Sequence, residues 1–351
     1  MKFNKISKKL AACSLAGVMM VSMLGMTAFA KTGATEAVTF KKTLDMSEAE
    51  GASVPNVTFT YLTVPGAPVE ATATSPEILA GIGEPKAAAA VFSYQDSVVN
   101  SSVEKTVTVD FSKVNWTAPG IYRYTIKELG SGNADITNDL VDTRTLDVYV
   151  VNDSEGGYKI ASQAMIKGTD APTTEGAYNS ESKSDGFTNS YKTYALSLKK
   201  VVDGTMGDKG RTYNFTIQFE GPANASFDME GQSITLDGEG KGSANIALKN
   251  GNLETIKGIP SSVKYTVVEN IDKKDGYAVS YTVNDTDKTS GTYATSNENT
   301  MGKMNNAVVC TNLKNAVTPT GIAMTVAPYI LMVAVAGIFA VLFLRRRHGE
   351  A

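Results

Sequence analysis

The chain has 351 residues, with 33 Lys+Arg against 36 Asp+Glu, one His and two Cys. Setting aside four lysines before residue 31, and three arginines and one glutamate after residue 320, leaves a 290-residue body with 26 basic and 35 acidic side chains, net −9. That body holds no His and one Cys, which excludes a Ser-His-Asp triad, a Cys-His dyad, a His-ligated metal site and an internal disulfide, and its acidity argues against a nucleic-acid partner.

In chain order, Lys2, Lys5, Lys8 and Lys9 precede an uncharged apolar run from Leu10 and then Ala28-Phe29-Ala30. A basic start, an apolar stretch and a small-x-small site read as a secretory signal peptide over residues 1–30. Short alternating segments follow, rich in Val, Thr, Tyr, Ile and Phe and separated by Gly, Asn, Asp and Ser. Strands are predicted at Val57–Tyr61, Thr106–Phe111, Ile121–Ile126, Thr145–Val151, Tyr213–Phe219, Val263–Val268 and Ala278–Val283. Ser75–Ala90 is Ala-rich and reads as a short helix or a loop excursion, whereas Ser154–Gly157 and Gly204–Gly210 read as turns. Many short strands with polar turns point to an all-β fold of sandwiches or partly closed barrels. At the far end, Ile322 to Leu344 is uncharged and closed by Arg345, Arg346 and Arg347, long enough to span a bilayer with its basic stop on the cytoplasmic side.

The body repeats itself. Val38-Thr39-Phe40-Lys41-Lys42 resembles Leu196-Ser197-Leu198-Lys199-Lys200. Ile121–Glu128 resembles Ser262–Glu269, and Gly186–Ser190 resembles Val309–Leu313. Each half therefore runs from a Lys strand through a Glu strand to an Asn strand, with a boundary near Tyr191–Tyr194. Strand side chains alternate faces. If Val38 and Phe40 face a core, so does Lys42, and the same count turns Lys200, Glu128, Glu269, Asn189 and Asn312 inward. Two readings follow. Each polar residue ends its strand with its head in water, or each half buries one of each kind. In a dry site, desolvation lowers a lysine's pKa and raises a glutamic acid's. A neutral amine can then attack the Asn carbonyl carbon while a protonated Glu polarises that carbonyl and relays protons, so that ammonia leaves and an isopeptide bond remains.

These repeated motifs and the two end segments resemble the backbone subunits of sortase-assembled Gram-positive pili, in particular the streptococcal T-antigen-like pilins with isopeptide linkage domains. The resemblance implies two Ig-like (CnaB-like) β-sandwiches in tandem, over residues 31–191 and 192–316, and a sorting signal over 317–351. It implies linkages Lys42–Asn189 with Glu128 as catalytic acid, and Lys200–Asn312 with Glu269. Lys41 and Lys199 are the register alternatives, which alternation turns outward. Val317-Thr318-Pro319-Thr320-Gly321 resembles a sortase pentapeptide, with Val for Leu and its proline one place late, as in the T-antigen-like pilins. Lys183, six residues before Asn189 in a Ser-rich segment expected to be exposed, is implied as the amine joining subunits, with Lys192 and Lys167 as alternatives.

The implied partners are a pilus sortase, identical subunits in a head-to-tail covalent polymer, minor pilins, peptidoglycan and a host surface ligand. The implied location is the cell wall or fimbrium, with the precursor held in the membrane by its C-terminal helix. Cys310 is expected to be a small core residue. Asp203-Gly204 and Asp285-Thr286-Asp287 lack the spacing of a calcium loop, and no metal or cofactor is expected. A monomeric wall-anchored adhesin is the alternative function. A surface glycosidase with paired carboxylates fits less well, because each conspicuous Glu falls in a different half. If the pentapeptide is cut between Thr320 and Gly321, Thr320→Ala should leave an unprocessed, membrane-held precursor in cell fractions, and wall-linked material from that variant would refute the assignment.

Overall fold

The structure is a computed structural model and describes residues 36–73, 75–169, 182–316, 329 and 331–336. The signal peptide, the pentapeptide and most of the C-terminal apolar run lie outside the described residues. Among the described residues no helix is long and apolar enough to cross a membrane.

Two all-β sandwiches account for the body. In the first, a five-stranded sheet is ordered Lys86–Ala87, Ser102–Asp110, Ala37–Glu48, Gly186–Lys192, Ile136–Thr137. It packs on a second sheet ordered Tyr158–Lys167, Thr143–Asn152, Gly120–Glu128, Tyr61–Pro65. In the second sandwich, Tyr194–Asp203 lies between Leu253–Ile259 and Asn306–Leu313, facing a sheet ordered Lys241–Leu248, Tyr213–Glu220, Lys264–Glu269, Asn299–Thr300. The Lys strands are Ala37–Glu48 and Tyr194–Asp203, and the Asn strands are Gly186–Lys192 and Asn306–Leu313. Each half thus places its first and last long strands side by side, and both pairs run parallel.

The Lys strands form because their apolar residues fall on every second position. Val38, Phe40, Leu44 and Met46 are buried in the first and Leu196, Leu198 and Val202 in the second. Gly186 permits the close pairing in the first half: a Cβ there would sit 1.7 Å from the Lys41 carbonyl oxygen. The second half follows without a break, and the halves touch. The Ser53 N–H donates to the Ser226 carbonyl at 3.1 Å, and the Ser261 N–H donates to Asp135 Oδ2 at 2.9 Å.

The Ala-rich segment contains no helix. It carries the short strands Leu79–Ala80, Lys86–Ala87 and Ala90–Phe92, and its Gly81 packs on the Glu strand Gly120–Glu128. Added Cβ atoms at Gly66 and Gly81 would meet Arg123 at 2.6 and 2.4 Å. That cover buries a bidentate pair: Arg123 Nε and Nη2 donate to Asp147 Oδ1 and Oδ2, each at 2.8 Å. Breaking such a buried pair leaves an unmatched charge. Asp147→Ala should lower the stability of the first sandwich by about 3–5 kcal/mol, read as a fall in its urea midpoint.

Candidate functional site

In the first half, the parallel register sets Lys42 opposite Phe187 and Leu44 opposite Asn189. Lys42 and Asn189 therefore point inward from neighbouring strands, two positions apart. Glu128 ends the Glu strand in the facing sheet. Lys42 Nζ donates to Glu128 Oε1 at 3.1 Å and lies 2.8 Å from Oε2. The same nitrogen is 4.2 Å from the centre of the Phe59 ring. Burial pulls the Lys42 amine down to about 8, against the opposing hold of Glu128. Tyr61 is paired opposite Glu128, and its phenol is pushed up by burial and then by that carboxylate. The Asn189 amide is held from both ends: Oδ1 accepts the Asp139 backbone N–H at 3.0 Å, and Nδ2 donates to Asn138 Oδ1 at 3.4 Å.

The second half repeats the offset, with Lys200 opposite Cys310 and Val202 opposite Asn312. Lys200 Nζ lies 2.9 Å from Glu269 Oε1, and Asn312 Nδ2 donates to that same oxygen at 2.8 Å. One carboxylate oxygen thus bridges the amine and the amide. Cys310 occupies the place of Phe187, with Sγ 3.4 Å from Lys200 Nζ and 3.6 Å from Glu269 Oε2. Burial pushes this thiol up to about 12, so it is a neutral packed group. The Tyr281 hydroxyl donates to the Ala294 carbonyl at 2.9 Å and accepts the Glu269 N–H at 3.1 Å, pinning the end of that Glu strand.

None of the six side chains is more than 5% exposed, so the reading in which their heads turn into water does not describe them. Lys41 and Lys199 face outward. In the second half an amine, a carboxyl group and a carboxamide are in direct contact; in the first the amine and carboxyl group pair, and the buried carboxamide lies two register positions along the neighbouring strand. Both sets have the composition needed for an amide exchange that expels ammonia. Lys183 is half-buried rather than fully exposed. It bridges to Ile166, with the Lys167 N–H donating to the Ser182 carbonyl at 2.8 Å. Lys167 and Lys192 are exposed, and Lys192 pairs with Glu48 at 2.7 Å. Among the described residues no cluster of His, Cys, Asp or Glu could hold a metal ion. Strand periodicity gives no signal for Asp139 and Arg144, which surround Asn189 and the start of its strand. The signal available was a buried-type Arg between two threonines, Thr143-Arg144-Thr145.

Residues 38–192 match the family described as a Spy0128-like isopeptide containing domain. Residues 194–314 match a family described as a domain of unknown function, DUF7601. The chain is similar to a pilin of Streptococcus pyogenes serotype M1, 27% identical over 97% of this chain and 100% of the relative. Its fold is shared with the major pilin of Streptococcus pyogenes, at a TM-score of 0.62 and 21% identity over 82% of this chain and 100% of that one. It is likewise shared with the T3.2 major pilin of the same species, at a TM-score of 0.60 and 22% identity over 80% and 99%. The resemblance to streptococcal pilins read from the motifs is borne out across both halves.

The geometry makes a mass prediction. If both clusters react, the folded exported chain should be lighter by two ammonia molecules, about 34 Da, and Glu128→Ala or Glu269→Ala should each restore about half. An unshifted intact mass in folded wild-type protein would sink the chemistry. A pH prediction follows from the first cluster. Neutral Lys42 beside protonated Glu128 carries one proton, as the ion pair does, so the reactive form arises by transfer within the pair. When unlinked chain from inclusion bodies is refolded, the rate of linkage in the first half should be flat near neutral pH. It should fall above about 8, where the shared proton is lost; a rate still rising at pH 9.5 would contradict the relay.

Proposed function

We infer that this chain is the backbone subunit of a surface pilus, joined covalently to further copies of itself and reinforced by one Lys–Asn isopeptide bond in each sandwich. The observation carrying this reading is the twofold occurrence of a buried Lys-Glu-Asn cluster at one register offset between parallel first and last strands, in a relative of streptococcal pilins. In each cluster the Lys amine attacks Cγ of the Asn, Glu128 or Glu269 moves a proton from the incoming to the leaving nitrogen, and ammonia departs. The protein is a structural element, and these two intramolecular linkages are the only reactions it catalyses on itself.

Export uses residues 1–30 as signal peptide, and 31–191 and 192–316 are the two linkage domains. A pilus sortase cuts the Val317–Gly321 pentapeptide and forms a thioester at Thr320, which the Lys183 amine of another copy resolves. Minor pilins complete the fibre, peptidoglycan receives its base, and a host surface ligand is met at its tip or along its length. Lys183→Arg keeps the charge and removes the nucleophile. Boiled SDS gels of wall extracts should show a ladder from wild type and monomer alone from Lys183→Arg. A ladder unchanged in the variant would move the role to Lys167 or Lys192, and a single anchored species from wild type would favour the monomeric adhesin.

A further inference from the structure

The two clusters share a skeleton and differ in how the amide is held. In the second, the carboxamide nitrogen donates to Glu269 at 2.8 Å, while its oxygen meets only the weak Cys310 thiol donor at 3.8 Å. In the first the shorter contact is to its oxygen, from the backbone N–H of Asp139 at 3.0 Å, and its nitrogen makes a longer one to Asn138 at 3.4 Å and none to the carboxylate. Because an N–H can only donate, this contact also settles which end of the Asn189 amide is oxygen. The leaving nitrogen then faces Asn138, an exposed residue through which ammonia has a route to water.

Asp139 is itself held tightly. Its Oδ1 accepts the Val141 N–H at 3.0 Å, and its Oδ2 accepts the Thr188 N–H at 3.0 Å and Arg144 Nη2 at 2.6 Å. Arg144 is 1% exposed, and its guanidinium joins this segment to the Asn strand. Nε donates to Ser184 Oγ at 2.8 Å and to the Gly186 carbonyl at 2.9 Å. Nη1 donates to the Val141 carbonyl and to the Thr143 carbonyl at 3.0 Å. The plane of the group lies over Phe187, 4.4 Å from the ring centre. A fully buried arginine so placed fixes the segment bearing the Asp139 N–H against the strand bearing Asn189.

Resting on the isopeptide reading above, we propose that residues 138–144 form an oxyanion hole for the first linkage, with the Asp139 backbone N–H as donor and Arg144 as the positioning residue. Attack of neutral Lys42 Nζ on Asn189 Cγ turns the carbonyl into a tetrahedral oxyanion. The N–H already at hydrogen-bond distance stabilises the charge as it develops, without reorganisation. Collapse expels the original nitrogen as ammonia, with the proton that left Lys42 carried across by Glu128. The second half reaches the same product with its carboxylate on the leaving nitrogen instead.

The test uses the exported chain, recovered unlinked, refolded, and digested at intervals so that mass spectrometry scores each linkage separately. Asp139→Asn keeps the N–H and an oxygen for Arg144, and should link within about threefold of the wild-type rate. Asp139→Pro deletes the donor and Arg144→Gln unclamps it. Both should slow the first linkage by about 10²-fold, the size expected for one lost oxyanion donor, and leave the second at its normal rate. Wild-type rates in Asp139→Pro and Arg144→Gln would overturn the proposal, as would Asp139→Asn being as slow as Asp139→Pro. Absence of the first linkage from wild type would instead overturn the isopeptide reading itself. A readout independent of these variants' folding is hydrogen exchange in unlinked Glu128→Ala. There the Asp139 amide should be protected and adding Asn189→Ala should expose it, whereas equal exchange in both would remove the donor.

Discussion

The parallel apposition of each half's first and last long strands is the constraint on which the rest depends. Parallel neighbours need a long crossover connection, and here nearly the whole of each sandwich lies between the two. Lys42 and Asn189 meet only after the intervening sheets have assembled and Glu128 has arrived from the facing layer. The proposed linkage chemistry would therefore read out complete folding. A chain with its last strand misplaced has an amine and an amide far apart, and no acid between them. Closing a loop of more than 100 residues restricts the unfolded chain by about 4–5 kcal/mol, by analogy with disulfide loops. Residues 31–320 hold a single cysteine and have no such bridge available to them.

Before reaction, each cluster is a liability. An amine and a carboxylate at 0 to 5% exposure have given up their water, and their mutual attraction offsets that only partly. The proposed linkage would replace the amine with a neutral amide, and the destabilising ion pair would disappear with it. The same burial that strains the unreacted fold also draws Lys42 down to about 8, which makes the neutral amine accessible. Local neighbours then individualise the two sites. Phe187 in one half and Cys310 in the other fill the space opposite the lysine, and a backbone N–H holds the amide oxygen in one whereas the carboxylate holds the amide nitrogen in the other.

The parts of this arrangement that were legible in the sequence are those on strands with one solvated face. The Lys strands alternate cleanly, so the inward phase of Lys42 and Lys200 could be counted from Val38 and Leu196. Where both faces are covered, alternation vanishes. Residues 144–148, from Arg144 to Val148, are all buried, as are Tyr122, Arg123 and Tyr124. Periodicity therefore says nothing about Arg123, Arg144 or Asp147. The cover over Arg123 comes from Gly66 and from the Ala-rich segment, whose composition suggested a short helix or a loop excursion. Its glycines at 81 and 83 and its proline at 85 suit a chain laid flat against a sheet. The Asp139 N–H was out of reach for a different reason: a backbone donor has no residue type to mark it.

The position of Lys183 changes what the two linkages do under tension. Suppose load enters at Lys183 and leaves at Thr320. Within the first sandwich it then runs along six residues to Asn189 and on through Lys192, a continuous covalent strand. The strands on either side share little of that load, and the Lys42–Asn189 bond anchors the sandwich to the loaded strand rather than carrying the load. In the second sandwich, force enters at Tyr194 and leaves beyond Leu313 on the neighbouring parallel strand, so the hydrogen bonds between the two would be sheared together. The Lys200–Asn312 bond crosses that gap and takes the load, leaving the residues between it unstretched. On that load path the first proposed linkage would protect folding and resistance to proteolysis, and the second would protect extension. A fibre lacking the second should lengthen under force by the contour of the chain between Lys200 and Asn312, whereas one lacking only the first should hold its length.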